Sequence, residues 1–98
     1  MAFKIIWSEP ALSDLTGLTT FIAEDNPLAA EKTGSAILGK IANLTKHPRI
    51  GRIVPEIGHK DIRELIYRPY RIIYHVDANR RMIEILRVWH GARGEPQI

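Results

Sequence analysis

Glutamate, arginine and histidine are the side-chain types in this 98-residue sequence that could together carry out a reaction, and Glu56, Arg71, Arg87 and His90 are one candidate set. Cleavage of RNA without a metal needs three groups: a base that takes the proton of the 2′-hydroxyl, cations that stabilise the charged phosphorane, and an acid that protonates the leaving oxygen. A carboxylate, two arginines and a histidine could supply them. Simpler roles are also open, because Glu56 could be an ordinary loop carboxylate and His90 could make a hydrogen bond near a strand end.

Arginine is confined to the second half of the chain. The sequence has a formal net charge of +3, and every arginine follows residue 48. A guanidinium group is always charged and matches phosphate or carboxylate oxygens with a planar fork. The basic half therefore suggests a polyanionic target or an acidic protein partner, or else a solvated surface that keeps the protein in solution. Within the chain, Arg71 and Arg87 could instead form ion pairs with Glu64 or Glu84.

The composition excludes several kinds of site. The sequence contains no cysteine, so it has no disulfide, thiol nucleophile or thiolate metal ligand. The four histidines lack the spacing of metal ligands, and no glycine-rich phosphate loop is present. We expect no metal and no cofactor. Neither a signal-peptide pattern nor a long apolar run occurs, which favours a single domain over residues 1–98 with no membrane contact.

Periodic apolar residues predict a helical hairpin after a first strand. The segment from Phe3 to Trp7 is typical of a short strand. Ser8 is a candidate N-cap for a helix from Glu9 to Glu24, and Asn26 is a candidate N-cap for a second helix from Pro27 to about Lys46. The expected core stripe of the first helix consists of Leu12, Leu15, Leu18 and Ile22, with Phe21 beside it.

The second half predicts an irregular loop over residues 49–61 and three strands. The strands cover Ile62–Tyr67, Tyr70–Asp77 and Met82–His90, and the short connections between them imply an antiparallel meander. The order is therefore β-α-α-β-β-β, an α+β domain in which a helical hairpin packs on one face of a mainly antiparallel sheet.

The other face of this sheet is a candidate binding surface. Tyr70, Ile72, Tyr74 and Val76 should face the core, whereas Arg71, Ile73, His75 and Asp77 should face away from it, where no predicted helix remains to cover them. The turn after Asp77 decides where Arg87 lies. An odd number of turn residues places it on the face of Arg71, and an even number places it on the opposite face.

Four segments of the chain, taken in order, resemble the RelE/ParE toxin superfamily. They are Ala11–Pro27 with its Phe21-Ile22-Ala23-Glu24-Asp25-Asn26-Pro27 end, the loop His47–Glu56, the pair Ile62-Arg63-Glu64-Leu65 and Tyr70-Arg71-Ile72-Ile73-Tyr74, and the segment Ile85–Arg93. Each pattern is loose, and their joint order and spacing carry the likeness. The chain is more similar to the ParE branch of plasmid stabilisation proteins than to RelE itself.

The resemblance implies a bacterial, cytoplasmic toxin of a type II toxin–antitoxin module. Such toxins are neutralised by a cognate antitoxin, often of ribbon-helix-helix type, whose flexible C-terminal region wraps the toxin. ParE-type members block DNA gyrase, whereas RelE-type members cut mRNA on the ribosome. We favour the gyrase inhibitor, with a ribosome-dependent endoribonuclease and a non-toxic nucleic-acid-binding module as alternatives.

The resemblance also assigns roles to residues. Glu56 lies in a Pro-Glu loop that looks like the catalytic loop of the YoeB-type ribonucleases, Arg71 matches their strand arginine, and His90 lies near their C-terminal histidine. These three residues would be catalytic only in a ribonuclease. The chain departs from that branch because no tyrosine follows Tyr74. Candidates for binding the target or the antitoxin are Arg63, Arg71, Arg87, Trp89 and Arg93.

Overall fold

Two helices and five strands follow one another in the expected α+β order, with one strand more than the sequence predicts. The computed structural model describes residues 2–98. The first half contains β1 (Lys4–Trp7), α1 (Glu9–Asp25), α2 (Pro27–Ala42) and a 3₁₀ turn over Asn43–Thr45. The second half contains β2 (Arg52–Ile53), β3 (Ile62–Tyr67), β4 (Tyr70–Asp77), β5 (Met82–His90) and a 3₁₀ turn over Gly91–Arg93. The extra strand is β2, which lies inside the predicted loop.

Side-chain caps fix where both helices begin. The Ser8 hydroxyl oxygen accepts a hydrogen bond from the Ala11 N–H at 3.1 Å, and the Asn26 amide oxygen accepts one from the Ala29 N–H at 3.0 Å. Each cap satisfies a backbone donor that the first helical turn leaves unpaired. Both predicted caps are confirmed. The second helix was expected to reach Lys46, but its α-helical part ends at Ala42 and the chain then tightens into the 3₁₀ turn.

The five strands form one mixed sheet in the order β1-β5-β4-β3-β2. The predicted antiparallel meander of β3, β4 and β5 is confirmed, and β2 adds to it antiparallel to β3. Strand β1 runs parallel to β5, because the helical hairpin returns the chain across the sheet before the meander begins.

The helical hairpin covers one face of the sheet and forms the main core with it. The buried members of this core are Ala11, Ile37, Ile41, Leu44, Tyr70, Ile72, Tyr74, Val76, Ile83, Ile85 and Val88. The expected stripe of α1 is wrong at Leu12, which is 50% exposed while Ala11 points inward instead, and Phe21, expected beside the stripe, is 72% exposed. Leu15 and Leu18 pack on the core as expected. Within residues 2–98, no helix is long and apolar enough to cross a membrane.

The opposite face of the sheet is partly covered, which corrects the expectation of a bare face. Val54, Ile73 and Trp89 form a second, smaller buried cluster, with Ile62 and Leu86 packed against it. Val54 comes from the loop before β3, so an irregular segment provides the cover that no helix supplies. The uncovered part of this face lies around Arg71, near the turn between β3 and β4.

A β-bulge in β5 answers the question of register. Asp77 pairs with Met82, so the turn holds an even number of residues. Tyr74 then pairs with Ile85 while Ile73 pairs with Arg87, and Leu86 is left as the extra residue. The even turn alone would place Arg87 on the face opposite Arg71. Because the bulge adds one residue, Arg87 is instead in register with Ile73, which shares the face of Arg71.

A candidate arginine cleft

Arg71 is held by two carboxylates from different parts of the chain. Its Nη1 and Nη2 donate to the two oxygens of Glu56 at 2.7 Å each, in a bidentate pair. Its Nε donates to Glu64 Oε1 at 2.7 Å. The side chain of Arg71 is 15% exposed, that of Glu56 is 28% exposed and that of Glu64 is fully buried. Of the roles that the sequence left open for Arg71, an ion pair with Glu64 is the one present here.

Glu64 anchors the network from inside the sheet. Its Oε2 also accepts a hydrogen bond from Arg52 Nε at 2.7 Å, so a single buried carboxylate joins two arginines. A buried charge is tolerated only when it is paired and hydrogen-bonded, and Glu64 meets both conditions. The register of the sheet brings these groups together, because Arg52 of β2 is directly opposite Glu64 of β3.

The electrostatics of this network disfavour Glu56 as a proton acceptor. The hydrogen bonds from Arg71 lower the pKa of Glu56 from 4.5 to about 2. The hydrogen bonds that Glu56 and Glu64 accept from Arg71 raise the pKa of Arg71 above its ordinary value. A general base works best with a pKa near the pH at which it operates. Near neutral pH, Glu56 is an ionised carboxylate whose strongest interaction is with Arg71.

A cleft opens beside Arg71 at the end of the sheet where β3 turns into β4. It encloses about 580 Å³. Its walls are formed by Arg52, Ile66, Arg68, Pro69, Tyr70, Arg71, His90, Gly91 and Ala92. Three arginines therefore meet in one depression, and an anion is the ligand that such a charge distribution favours.

His90 lies in the wall of the same cleft. Its Nδ1 accepts a hydrogen bond from the Ala92 N–H at 3.1 Å, which caps the 3₁₀ turn after β5. This bond assigns the proton of the neutral ring to Nε2. The ring packs edge-to-face on Tyr70, with centroids 5.4 Å apart. The fold thus gathers Glu56, Arg71 and His90 in one region, and hydrogen bonds join Glu56 to Arg71.

Arg87 lies apart from the cleft and pairs with a residue that the sequence analysis missed. Its Nε and Nη2 donate to the two oxygens of Asp14 at 2.8 Å each, and its Nη1 donates to the Gln97 carbonyl at 2.9 Å. Hydrogen bonding to Asp14 raises the pKa of Arg87. The expected alternative partner, Glu84, is exposed. Asp14 was missed because it is distant in sequence and only the packing of α1 on β5 brings it near.

Trp89 and Arg93 form a stacked pair on the second face of the sheet. The Arg93 guanidinium lies 4.1 Å from the centre of the Trp89 ring, and that of Arg87 lies 4.9 Å from it. The indole N–H donates to the Gly94 carbonyl at 3.1 Å. Trp89 is 2% exposed, so the ring is a core residue in this structure and the two arginines lie over it.

Arg63 holds the long loop together. Its Nη1 donates to the carbonyls of Arg49 and Gly51 at 3.3 and 2.9 Å, and its Nε donates to the Lys60 carbonyl at 3.0 Å. These bonds tie both ends of the loop that carries Glu56 to β3. The arginines proposed from the sequence therefore divide into one at the cleft, Arg71, and three with partners elsewhere in the fold.

Two further residues of the cleft, Arg52 and Arg68, escaped the sequence analysis. Arg52 lies in a strand too short to predict. Arg68 lies in the turn before β4, where a charged residue is common and does not indicate a site. Their basic character was visible in the sequence, but their position was not. No group of three or more His, Cys, Asp or Glu side chains within residues 2–98 could hold a metal ion.

Comparison with known proteins places this geometry in a family. Residues 5–94 match the family model described as ParE toxin of type II toxin-antitoxin system, parDE. The toxin RelE2 of Caulobacter vibrioides is 31% identical over 91 residues, which span 92% of this chain and 97% of that protein.

Two solved structures share the fold at lower sequence identity. The chromosomal ParDE system of P. aeruginosa matches with a TM-score of 0.71 at 22% identity, over 91% of this chain and 96% of that one. A mutant of E. coli RelE in the free state matches with a TM-score of 0.65 at 18% identity, over 96% of this chain and 88% of that one. Since the family model covers nearly the whole sequence, the chain belongs to the ParE toxin family of type II toxin–antitoxin systems.

Proposed function

We propose that this protein arrests bacterial growth by binding DNA gyrase, and that a cognate antitoxin neutralises it in the cytoplasm. The choice of gyrase over RNA cleavage is based on the ion pair between Glu56 and Arg71. The carboxylate with a pKa of about 2 is a weak base, and the arginine already has two carboxylate partners. A site of this kind is suited to binding an anionic group rather than to taking a proton from a 2′-hydroxyl.

Exposed apolar side chains support a protein partner. Phe21 is 72% exposed and Leu28 is 76% exposed on the helical hairpin, and Leu12 and Leu38 are about half exposed on the same two helices. Large apolar side chains left in solvent on a small protein are typical of a surface that a partner covers. A ribbon-helix-helix antitoxin with a flexible C-terminal region would gain affinity by burying such residues as it folds on the toxin.

A ribosome-dependent endoribonuclease is the second candidate. It is favoured by one observation: Glu56, Arg71 and His90 belong to the same region of the sheet, and the last two line one cleft. For this activity the substrate would have to separate Glu56 from Arg71 and raise the proton affinity of the carboxylate.

Two measurements separate these candidates. Purified toxin should inhibit supercoiling by DNA gyrase, and induced expression should arrest growth without creating new mRNA 5′ ends. New ends inside translated frames that depend on ongoing translation would refute the gyrase proposal. Glu56→Gln and His90→Gln should then abolish toxicity in folded protein, whereas Glu84→Gln, an exposed carboxylate outside the cleft, should retain it. No growth effect, with duplex binding that weakens steeply as salt rises, would point instead to a nucleic-acid-binding module.

A further inference from the structure

The two carboxylates on Arg71 differ in how firmly the fold holds them. Glu64 is fully buried in β3 and is shared with Arg52, so it cannot leave without stranding a buried charge. Glu56 is 28% exposed on the loop between β2 and β3, and its neighbours Pro55 and Ile57 are exposed as well. Glu64 is therefore a permanent partner of Arg71, and Glu56 is one that solvent can reach and replace.

The cleft retains positive charge when Glu56 is in place. The side chain of Arg52 is 59% exposed. Within residues 2–98, the hydrogen bond from its Nε to Glu64 is the only one that this side chain makes. Arg68 is exposed, and it makes no ion pair with any of the described residues. The exposed side chain of Ile66 lines the same cleft. Three arginines face two carboxylates here, so the surroundings of Arg71 keep a net positive charge beside an apolar surface.

We propose that the outer fork of Arg71 is a carboxylate-binding site for an acidic segment of a protein partner, and that Glu56 fills this site as an exchangeable internal ligand in the free chain. The inference deepens the proposed function, because it names a site and the chemistry by which a partner would engage the toxin. The Glu56 pair is itself the geometric argument, since two Nη–Oε contacts of 2.7 Å are the fork-to-fork arrangement of an arginine and a planar carboxylate.

A peptide fits this cleft better than a nucleic acid strand does. Proteins that bind single strands stack the bases on exposed aromatic rings along a basic groove. The only aromatic rings in the walls of this cleft belong to Tyr70, which is 8% exposed, and His90, which packs edge-on against it. An acidic peptide would place one carboxylate on Arg71 and an adjacent apolar side chain on Ile66.

An internal ligand weakens the binding of every external one. A tethered carboxylate acts at an effective concentration in the millimolar range, and the apparent affinity for a competitor falls by the fraction of sites that remain open. Removing Glu56 should therefore strengthen the binding of an acidic peptide, whereas removing a carboxylate elsewhere should leave it unchanged.

The test measures the binding of a short fluorescein-labelled peptide of alternating glutamate and leucine by fluorescence anisotropy. Glu56→Ala should bind it about tenfold more tightly than wild type, the amount expected when an internal competitor that fills most sites is removed. Glu84→Ala is the matched control, because it removes the same charge from an exposed position on β5 outside the cleft. Equal affinity of the two variants would overturn the proposal. A gain for single-stranded oligothymidylate without a gain for the peptide would overturn the choice of a protein partner.

A second measurement uses the wild-type chain and does not depend on a variant folding. At pH 7, where the carboxylates of the peptide are ionised, carbon-detected NMR should find that the Glu56 carboxyl resonance shifts when the peptide is saturating, because Glu56 loses its two hydrogen bonds from Arg71. An unchanged resonance at saturation would mean that the peptide does not displace Glu56, and would overturn the proposal. Both assays contain neither gyrase nor ribosome, so a failure here is distinct from a failure of the proposed target.

Discussion

Asp14 joins the first helix to the sheet through hydrogen bonds to β5. Strand β1 pairs with β5 only as far as Ile85, so the Val88 N–H has no neighbouring strand on that side. Asp14 Oδ2 accepts from this N–H at 3.0 Å while the same carboxylate pairs with Arg87. One side chain therefore satisfies a backbone donor at a sheet edge and the guanidinium group of Arg87, whose side chain is 17% exposed.

Replacing Asp14 with alanine should destabilise the fold by about 2–3 kcal/mol, because it leaves both the Val88 N–H and the mostly buried Arg87 without their partner. Asp25→Ala, at the exposed end of α1, should change the free energy of unfolding by less than about 0.5 kcal/mol. Urea denaturation of the two variants and wild type measures both effects. Equal midpoints would show that the Asp14 contacts contribute no net stability.

The ion pair of Glu56 makes stability depend on pH in a defined window. Its pKa in the folded chain is about 2, below the ordinary value of 4.5. A lowered pKa in the folded state adds stability at pH values above 4.5, and this contribution is lost as the pH falls towards 2. Glu56→Gln should therefore be less stable than wild type at pH 7, and the difference should shrink at about pH 3.

Urea midpoints of both proteins at these two pH values test the prediction. Other ionisable groups can also make stability depend on pH, among them Asp61, whose pKa is lowered by Arg49. Their effect is common to wild type and variant, so only the difference between the two proteins reports on Glu56. A difference that does not change with pH would contradict the assigned ion pair.

At the scale of elements, local signals predicted the helices and the long strands, while pairing at a distance escaped them. The caps at Ser8 and Asn26 and the alternation along β4 act through neighbouring residues, so the sequence reveals them. The two-residue β2 exists only because β3 is present to pair with it. The bulge at Leu86 likewise depends on how β4 and β5 meet, and no local pattern marks it.

Glycine substitutions distinguish an element that needs glycine from one that merely tolerates it. At Gly51, an added Cβ would lie 2.5 Å from the Glu64 carbonyl oxygen and 2.6 Å from the Tyr74 hydroxyl. The Gly51 N–H also donates to that hydroxyl at 3.0 Å. Gly51→Ala should therefore destabilise the protein by at least about 2 kcal/mol through forced movement of packed groups.

Gly39 provides the opposite case within α2. A Cβ added there meets nothing within 4 Å, and alanine is the better helix former by about 1 kcal/mol. Gly39→Ala should raise the midpoint of thermal unfolding and Gly51→Ala should lower it. Calorimetry of both variants checks the pair, and a loss of stability in Gly39→Ala would argue against an exposed position in the helix.

For the whole molecule, the chain end closes the second face of the sheet. The carbonyls of Gly94 and Gln97 accept hydrogen bonds from Trp89 and Arg87, so the segment after the last 3₁₀ turn lies against β5. Together with Val54 from the long loop, it explains why Trp89 is buried although no helix covers this face. The sequence could predict that face as apolar and basic, but not which irregular segments would cover it.

Truncation after Arg93 should open this face without unfolding the main core, because the helical hairpin contacts the other side of the sheet. Hydrogen exchange of the Trp89 indole N–H, followed by NMR, should accelerate at least about tenfold when its acceptor is removed. The indole of Trp7, which packs against the main core, serves as an internal control. Exchange that is equally slow in both proteins would contradict an anchoring role for the chain end.

Leu86 gives β5 one residue more than its ladder with β4 requires. Before the bulge, the odd-numbered residues Ile83 and Ile85 face the helices. After the bulge, the even-numbered Val88 faces them instead. An in-frame loss of the single codon for Leu86 would therefore leave every other side chain of the strand facing as it does now, with an unbroken ladder in place of the bulge. At this position, a one-residue deletion would be gentler on the fold than an insertion.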